Sequence, residues 1–253
     1  MHSIRAETRA VAAQRRVAEM EAIGEAAISL ALQQMVSTQE GARRPWLRFQ
    51  TSFDGHDVTV EINALNGFVD LNRASPELLG SLFSLAGGLS PQAAGPLAQS
   101  AVQTREKADT AGRAQGFEAA EDLMRVPGFD YDLYARLRPL VTADVRGSGR
   151  VNPQAAPQQV LVVLAEGDAA RAAAIASARA AGGVGIDTTA LRGEFIDSAV
   201  GSRFRLQAFI PMVDGSEAVV VRDVDVLADQ RAGLPWRIFY GETRTHMMSA
   251  KDA

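Results

Sequence analysis

From Ile4 to about Thr38 the chain reads as one long helix. It has no proline there, a single glycine at Gly24, and Ala, Glu, Gln, Arg and Met throughout. At 1.5 Å per residue such a helix is about 50 Å long. Its two halves differ. The first carries Arg5, Arg9, Arg15 and Arg16 against the single acid Glu7, with small residues between. The second sets Val17, Met20, Ile23, Ala27, Leu30 and Ala31 on a helical stripe, widened by Ile28, Leu32 and Met35. A helix apolar over so much of its circumference needs cover on more than one side. The pattern predicts a C-terminal half packed on a sheet and an N-terminal half that projects.

Gly41 and Pro45 end that helix, and strict alternation follows. Trp46–Gln50 and Val58–Ile62 flank the turn residues Asp54-Gly55, which predicts a hairpin. Comparable strand patterns return only near the end, at Arg203–Phe209, Glu217–Leu227 and Trp236–Tyr240. The stretch between, about Phe68 to Asp187, reads as helices broken by Gly and Pro. The segments are Pro76–Phe83, Pro91–Thr104, Phe117–Met124, Asp130–Leu140, Pro157–Leu164 and Asp168–Ala180. Ser75 before Pro76 predicts an N-cap with proline in the first turn. Helix, hairpin, helical excursion and further antiparallel strands describe an α+β protein with an insertion.

The helical stretch contains an internal echo. Val69–Leu79 and Val151–Leu161 match at a constant offset, pairing Val69 with Val151, Ala74 with Ala156, Leu78 with Val160 and Leu79 with Leu161. Leu82 and Leu164 continue the match. Apolar positions agree while polar ones drift, as two similarly packed helix starts require.

Composition narrows the chemistry. The 253 residues carry a formal charge of -4, against the basic surplus that phosphate binding usually brings. Absence of cysteine excludes thiol catalysis, zinc–cysteine sites and disulfides. The three histidines, His2, His56 and His246, join no metal or nucleophile motif. Gly182-Gly183-Val184-Gly185 lacks the preceding strand and following GK[ST] of a phosphate loop, and reads as a linker. The sequence therefore predicts no enzyme.

Several segments resemble the K-type minor pseudopilins of bacterial type II secretion systems. Ser3–Arg9 ahead of an alanine-rich helix is similar to the stretch just past their membrane segment. Asn66-Gly67-Phe68-Val69-Asp70-Leu71-Asn72 resembles their lead-in to an inserted helical domain. Phe117–Phe129, with Val126-Pro127-Gly128, resembles a further element of that domain. Tyr134–Thr142, Arg150–Pro153 and the closing Trp236–Tyr240 follow in the family's order.

The resemblance implies a pilin-like long helix on an antiparallel sheet, with a large all-α domain (SAM-like or helix-hairpin-helix-like) inserted between strands. The expected division is a pilin-like part at 1–66, the inserted helical domain at 67–187, and the remaining strands with a tail at 188–253. It also implies the function of a periplasmic pseudopilus tip protein. Such a protein assembles with I- and J-type minor pseudopilins, starts the pseudopilus filament and supports export across the outer membrane. In the family, a membrane helix anchored in the inner membrane precedes this region; Met1-His2 and Thr245–Ala253 are read as additions outside the fold. Met20, Ile23, Ala27 and Leu30 are the residues assigned to partner contact. The resemblance admits calcium, for which Asp54/Asp57, Asp130/Asp132, Asp187/Glu194/Asp197 and Asp214/Glu217 are candidate clusters. None forms an EF-hand loop, and no ligand is assigned.

The alternative from another class is a helix-hairpin-helix DNA-binding protein, using Phe117–Leu140. A phosphate-gripping hairpin needs small residues and a positive field. Here Arg125, Arg136 and Arg138 face Glu118, Glu121, Asp122, Asp130 and Asp132, and Phe129 follows Gly128. In a shift assay with duplex DNA at low salt, where attraction is least screened, no micromolar complex is expected. Salt-sensitive binding lost on changing Gly128 would reverse this.

Overall fold

The alanine-rich opening forms helix α1, His2–Val36. The computed structural model describes residues 2–38, 41–143, 147–182, 186–226 and 235–247. Part of the glycine run (183–185), Arg146, Leu227 and residues 248–253 lie outside the described residues. Contacts divide the chain into two units, Met1–Ala64 with Ser202–Ala253, and Leu65–Gly201. Among the described residues no helix is long and apolar enough to cross a membrane.

In the first unit, β1 (Trp46–Phe53) and β2 (His56–Ala64) form the expected hairpin. Asp54 and Gly55 turn it with positive φ, 50° and 78°. β5 (Arg203–Pro211), β6 (Ser216–Asp225) and β7 (Arg237–Met247) complete a five-stranded sheet of order β1-β2-β5-β6-β7. Every pairing in it is antiparallel. The chain leaves the sheet after β2 and returns into the neighbouring strand β5, with Ala64 opposite Phe204. One correction falls at the end. Thr245, His246 and Met247, read as part of a tail, are strand residues opposite Ala218, Glu217 and Ser216.

Alternation places Val58, Val60 and Ile62, Phe204, Leu206 and Ala208, and Ala218 and Val220 on one face, all buried. α1 covers that face with Met20, Ile23, Ala27, Ile28, Ala31, Leu32 and Met35, also buried. The helix comes closest at Gly24. A Cβ there would lie 2.4 Å from Val220 Cγ2 and 2.7 Å from its Cβ.

The second unit is mainly helical: α2 (Pro76–Leu85), α3 (Pro91–Glu106), α4 (Tyr131–Leu137), α5 (Gln158–Leu164) and α6 (Ala169–Ala180). It is not wholly so. β3 (Val69–Asp70) pairs in parallel with β4 (Val141–Thr142). The expected helix at Phe117–Met124 is instead a 3₁₀ turn over Ala120–Arg125. The Asn72 amide accepts from Phe117 N–H at 2.7 Å and donates to its carbonyl at 2.8 Å. Asp122 accepts from the N–H groups of Glu118 and Ala119. These backbone groups are thus satisfied without a helical turn. The helix expected to reach Leu140 gives way at Arg138 to a 3₁₀ turn containing Pro139, which has no N–H to continue the α ladder. Residues 188–201, expected with the later strands, belong to this unit. Leu191 and Phe195 enter its core, and Val151 N–H donates to the Phe195 carbonyl.

The sequence echo has a structural counterpart. All its paired apolar residues are buried at 1% exposure or less. Each copy opens with an Asx turn, Asn72 N–H on Asp70 Oδ1 (2.9 Å) and Gln154 N–H on Asn152 Oδ1 (3.0 Å). Each ends with an arginine from the second helix reaching back. Arg105 Nη1 donates to the Ala74 carbonyl at 2.9 Å, and Arg179 Nη1 to that of Ala156 at 2.7 Å. The second unit therefore contains two similarly built helix pairs, α2–α3 and α5–α6.

Gly24→Ala is expected to destabilise the protein by about 1–3 kcal/mol, although alanine is the better helix former. Val220 is stiff at χ1 and cannot swing away from the added methyl. In denaturant melts, combining it with Val220→Ala should recover part of the loss.

Candidate partner-contact surface

Near Gly24, α1 and the sheet are held by charge as well as by packing. Arg222 on β6 points at α1 and is buried. Its Nη2 lies 2.9 Å from Glu21 Oε1 and 2.5 Å from Glu25 Oε1, and its Nε lies 2.8 Å from Glu25 Oε1. Nη1 donates to the carbonyls of Val221 and Glu242. Gly241 on β7 leaves the space, since a Cβ there would come within 3.2 Å of the arginine Cδ. Glu21 and Glu25 stand one helical turn apart, so a single cation engages both.

The opposite face of the sheet carries ion pairs. Arg205 on β5 meets Asp223 on β6 through two bonds, 2.8 and 2.9 Å, and stacks at 6.0 Å on the Tyr240 ring. Burial disfavours the Arg205 charge, yet the adjoining Asp223 carboxylate outweighs it and holds the pKa above the ordinary arginine value. Arg203 pairs with Asp225 and lies 4.8 Å over the Phe239 ring. Arg48 and Glu61 pair across β1 and β2.

These contacts sort the residues assigned to partner contact. Met20, Ile23 and Ala27 are buried on the side of α1 that lies on its own sheet. Leu30 is different: it is 48% exposed and faces away. The open face of α1 runs through Ala18, Ala22, Ala26, Ser29, Leu30 and Gln33, with Val11 and Val17 exposed nearer the N-terminus. It is poor in charge and rich in small side chains. Its signal in sequence was the second run of small residues beside the large apolar stripe.

The carboxylates considered for calcium have local partners. Asp130 caps α4 by accepting from Leu133 N–H at 2.7 Å. The Thr189 hydroxyl and N–H hold Asp187 below the usual carboxylate range, and the Ala199 N–H does the same for Asp197. Asp214 is lowered by the Ser216 hydroxyl and N–H, and it pairs with Arg16 of α1 at 3.3 Å. Asp57 bonds Ser52, and Glu217 lies 3.5 Å from His246. Among the described residues no three His, Asp or Glu side chains gather as a metal ion would need. Two open grooves of about 400 Å³ lie in the second unit, one beside α2 and α3, the other beside Arg150 and Asp197.

The hairpin considered for DNA is an internal packing element. Gly128 turns it at φ 88°, and Phe129 packs edge-on against Phe83 with ring centres 5.5 Å apart. Glu121 accepts from the Tyr134 hydroxyl at 2.9 Å and pairs with Arg138 at 3.4 Å.

No protein-family model matches the sequence, and no curated protein is similar to it. Among solved structures, the fold is similar to a chain of the GspK-GspI-GspJ complex from the enterotoxigenic Escherichia coli type 2 secretion system. The similarity covers 94% of this chain and 99% of that one, with a TM-score of 0.54 at 16% identity. The chain has a GspK-like fold. The GspK-like fold accounts for a mixed helix and antiparallel sheet, which agrees with the α+β class expected from the strand and helix patterns.

Replacing both Glu21 and Glu25 by Gln is expected to cost about 1–3 kcal/mol by leaving the buried Arg222 charge short of acceptors. A urea midpoint measurement checks this. Arg222→Met in the same background should recover much of the loss.

Proposed function

We propose that this protein is a K-type minor pseudopilin of a type II secretion system. It sits at the tip of the periplasmic pseudopilus and assembles with I- and J-type minor pseudopilins. In that role it starts the filament, supports export across the outer membrane, and is anchored in the inner membrane by a helix continuous with α1. Its work is mechanical rather than catalytic.

The observation that carries this reading is the fold likeness over nearly the whole of both chains, together with the family-like segments in matching order. The structure adds a physical reason. α1 leaves a face of Ala, Ser and Leu uncovered, and small side chains let another helix approach closely and bury the exposed Leu30 and valines. An insertion of domain size separates β2 from β5, which is the bulk expected of a tip subunit.

The test is co-purification with candidate I- and J-type periplasmic domains. Ala22→Glu and Leu30→Glu, on the open face of α1, should weaken the complex more than about tenfold while leaving the melting temperature nearly unchanged. Ile23→Glu should instead unfold the protein. Complex formation unaffected by Ala22→Glu and Leu30→Glu would remove the open helix face from the interface.

A further inference from the structure

We propose that β7 is a self-association edge, through which two copies of this chain pair antiparallel about Thr243 and join their sheets into one. The proposal is independent of the pseudopilin reading.

β6 pairs with one side of β7, and no described strand pairs with the other. From Gly241 to Met247 the register against β6 is regular, and the strand contains no lysine or proline. Those are the usual devices that keep an edge from pairing with another chain. The one irregularity lies earlier, opposite Asp223/Val224. β7 is also the most exposed strand of its sheet, with Phe239 39% and Met247 73% exposed.

Charge order selects the occupant. In an antiparallel pair related by a two-fold axis perpendicular to the sheet, side chains stay on their own face, so the axis must pass through a residue. An axis at Glu242 sets that acid against its own copy, and one at Arg244 does the same for the base. At Gly241, Arg244 would face Ile238. An axis at Thr243 places Glu242 opposite Arg244 twice and Tyr240 opposite His246 twice. Tyr240, Glu242, Arg244 and His246 share one face, and Thr243, Thr245 and Met247 the other, while Phe239 sits in the bulge against Arg203 on the first face. Like charges are kept apart. The other edge, β1, contains Arg48 and no acid, so it has no such self-match.

An interface of one strand pair is smaller than that of a stable dimer, so association at roughly 10–100 µM is expected. Sedimentation velocity from about 1 µM to 1 mM brackets that range. The chain has no cysteine, so single replacements report register without interference. Thr243→Cys should give a disulfide-linked dimer on mild oxidation. Directly opposed residues lie about 4.5–5.5 Å apart at Cα, within the span of a disulfide. Thr245→Cys should not, because its twin would lie about 13 Å away along the strand. Arg244→Glu should weaken the dimer at least roughly tenfold by opposing two acid pairs. A monomer throughout, equal cross-linking of the two cysteine variants, or a dimer indifferent to Arg244→Glu would each overturn the proposal.

Discussion

The close seating of α1 on its sheet at Gly24 is the constraint on which the first unit depends. The absent side chain lets the helix backbone descend onto Val220. Two positions further along β6, Arg222 reaches Glu21 and Glu25 on either side of Gly24. Packing alone would tolerate small slides of a helix over a smooth β-branched surface. A buried cation bound to two acids one turn apart does not, because any slide leaves charge unsatisfied. The pair thus defines which arc of α1 is covered and which remains open. The same arginine shapes the neighbouring strand, where Gly241 leaves room for its side chain and Glu242 offers a carbonyl.

The second unit uses a different economy. Its two similar helix pairs each begin with an Asx turn, bury an alanine before the helix, and close with an arginine that returns to that alanine's carbonyl. The arginine supplies donors to carbonyls that precede the helix and would otherwise be left without partners. Burial lowers the Arg105 pKa, with Glu106 and Asp70 opposing that shift. Its acids have similar structural duties, as caps and local ion pairs. A region that resembles a phosphate-binding hairpin in outline therefore spends its polar groups on its own backbone.

Along α1 the sharpest division is between its two sides. A stripe of large apolar residues and a stripe of small ones lie side by side along the helix. The large ones fill the sheet's valleys, where each buried Leu or Ile is worth about 1.5–3 kcal/mol. The small ones face outward, where another helix could approach closely. Hydrophobicity along the chain marks burial without naming what does the burying.

Much of this protein was legible from residue order alone. The long helix, the hairpin around Asp54-Gly55, the Ser75 cap and the late strands follow from local periodicity and turn chemistry, which depend on near neighbours. The echo of Val69–Leu79 in Val151–Leu161 was legible for the same reason. Tertiary structure decided the rest. Arg222 and Glu21 are 201 residues apart, so no local pattern announces their pairing. Asn72 replaces a predicted helix start at Phe117 with side-chain bonds from 45 residues away. Thr245–Met247 look like a polar tail until β6 offers its edge. Periodicity tells which positions along an element are apolar; only the assembled fold determines which of them meet a sheet, a distant charge or solvent.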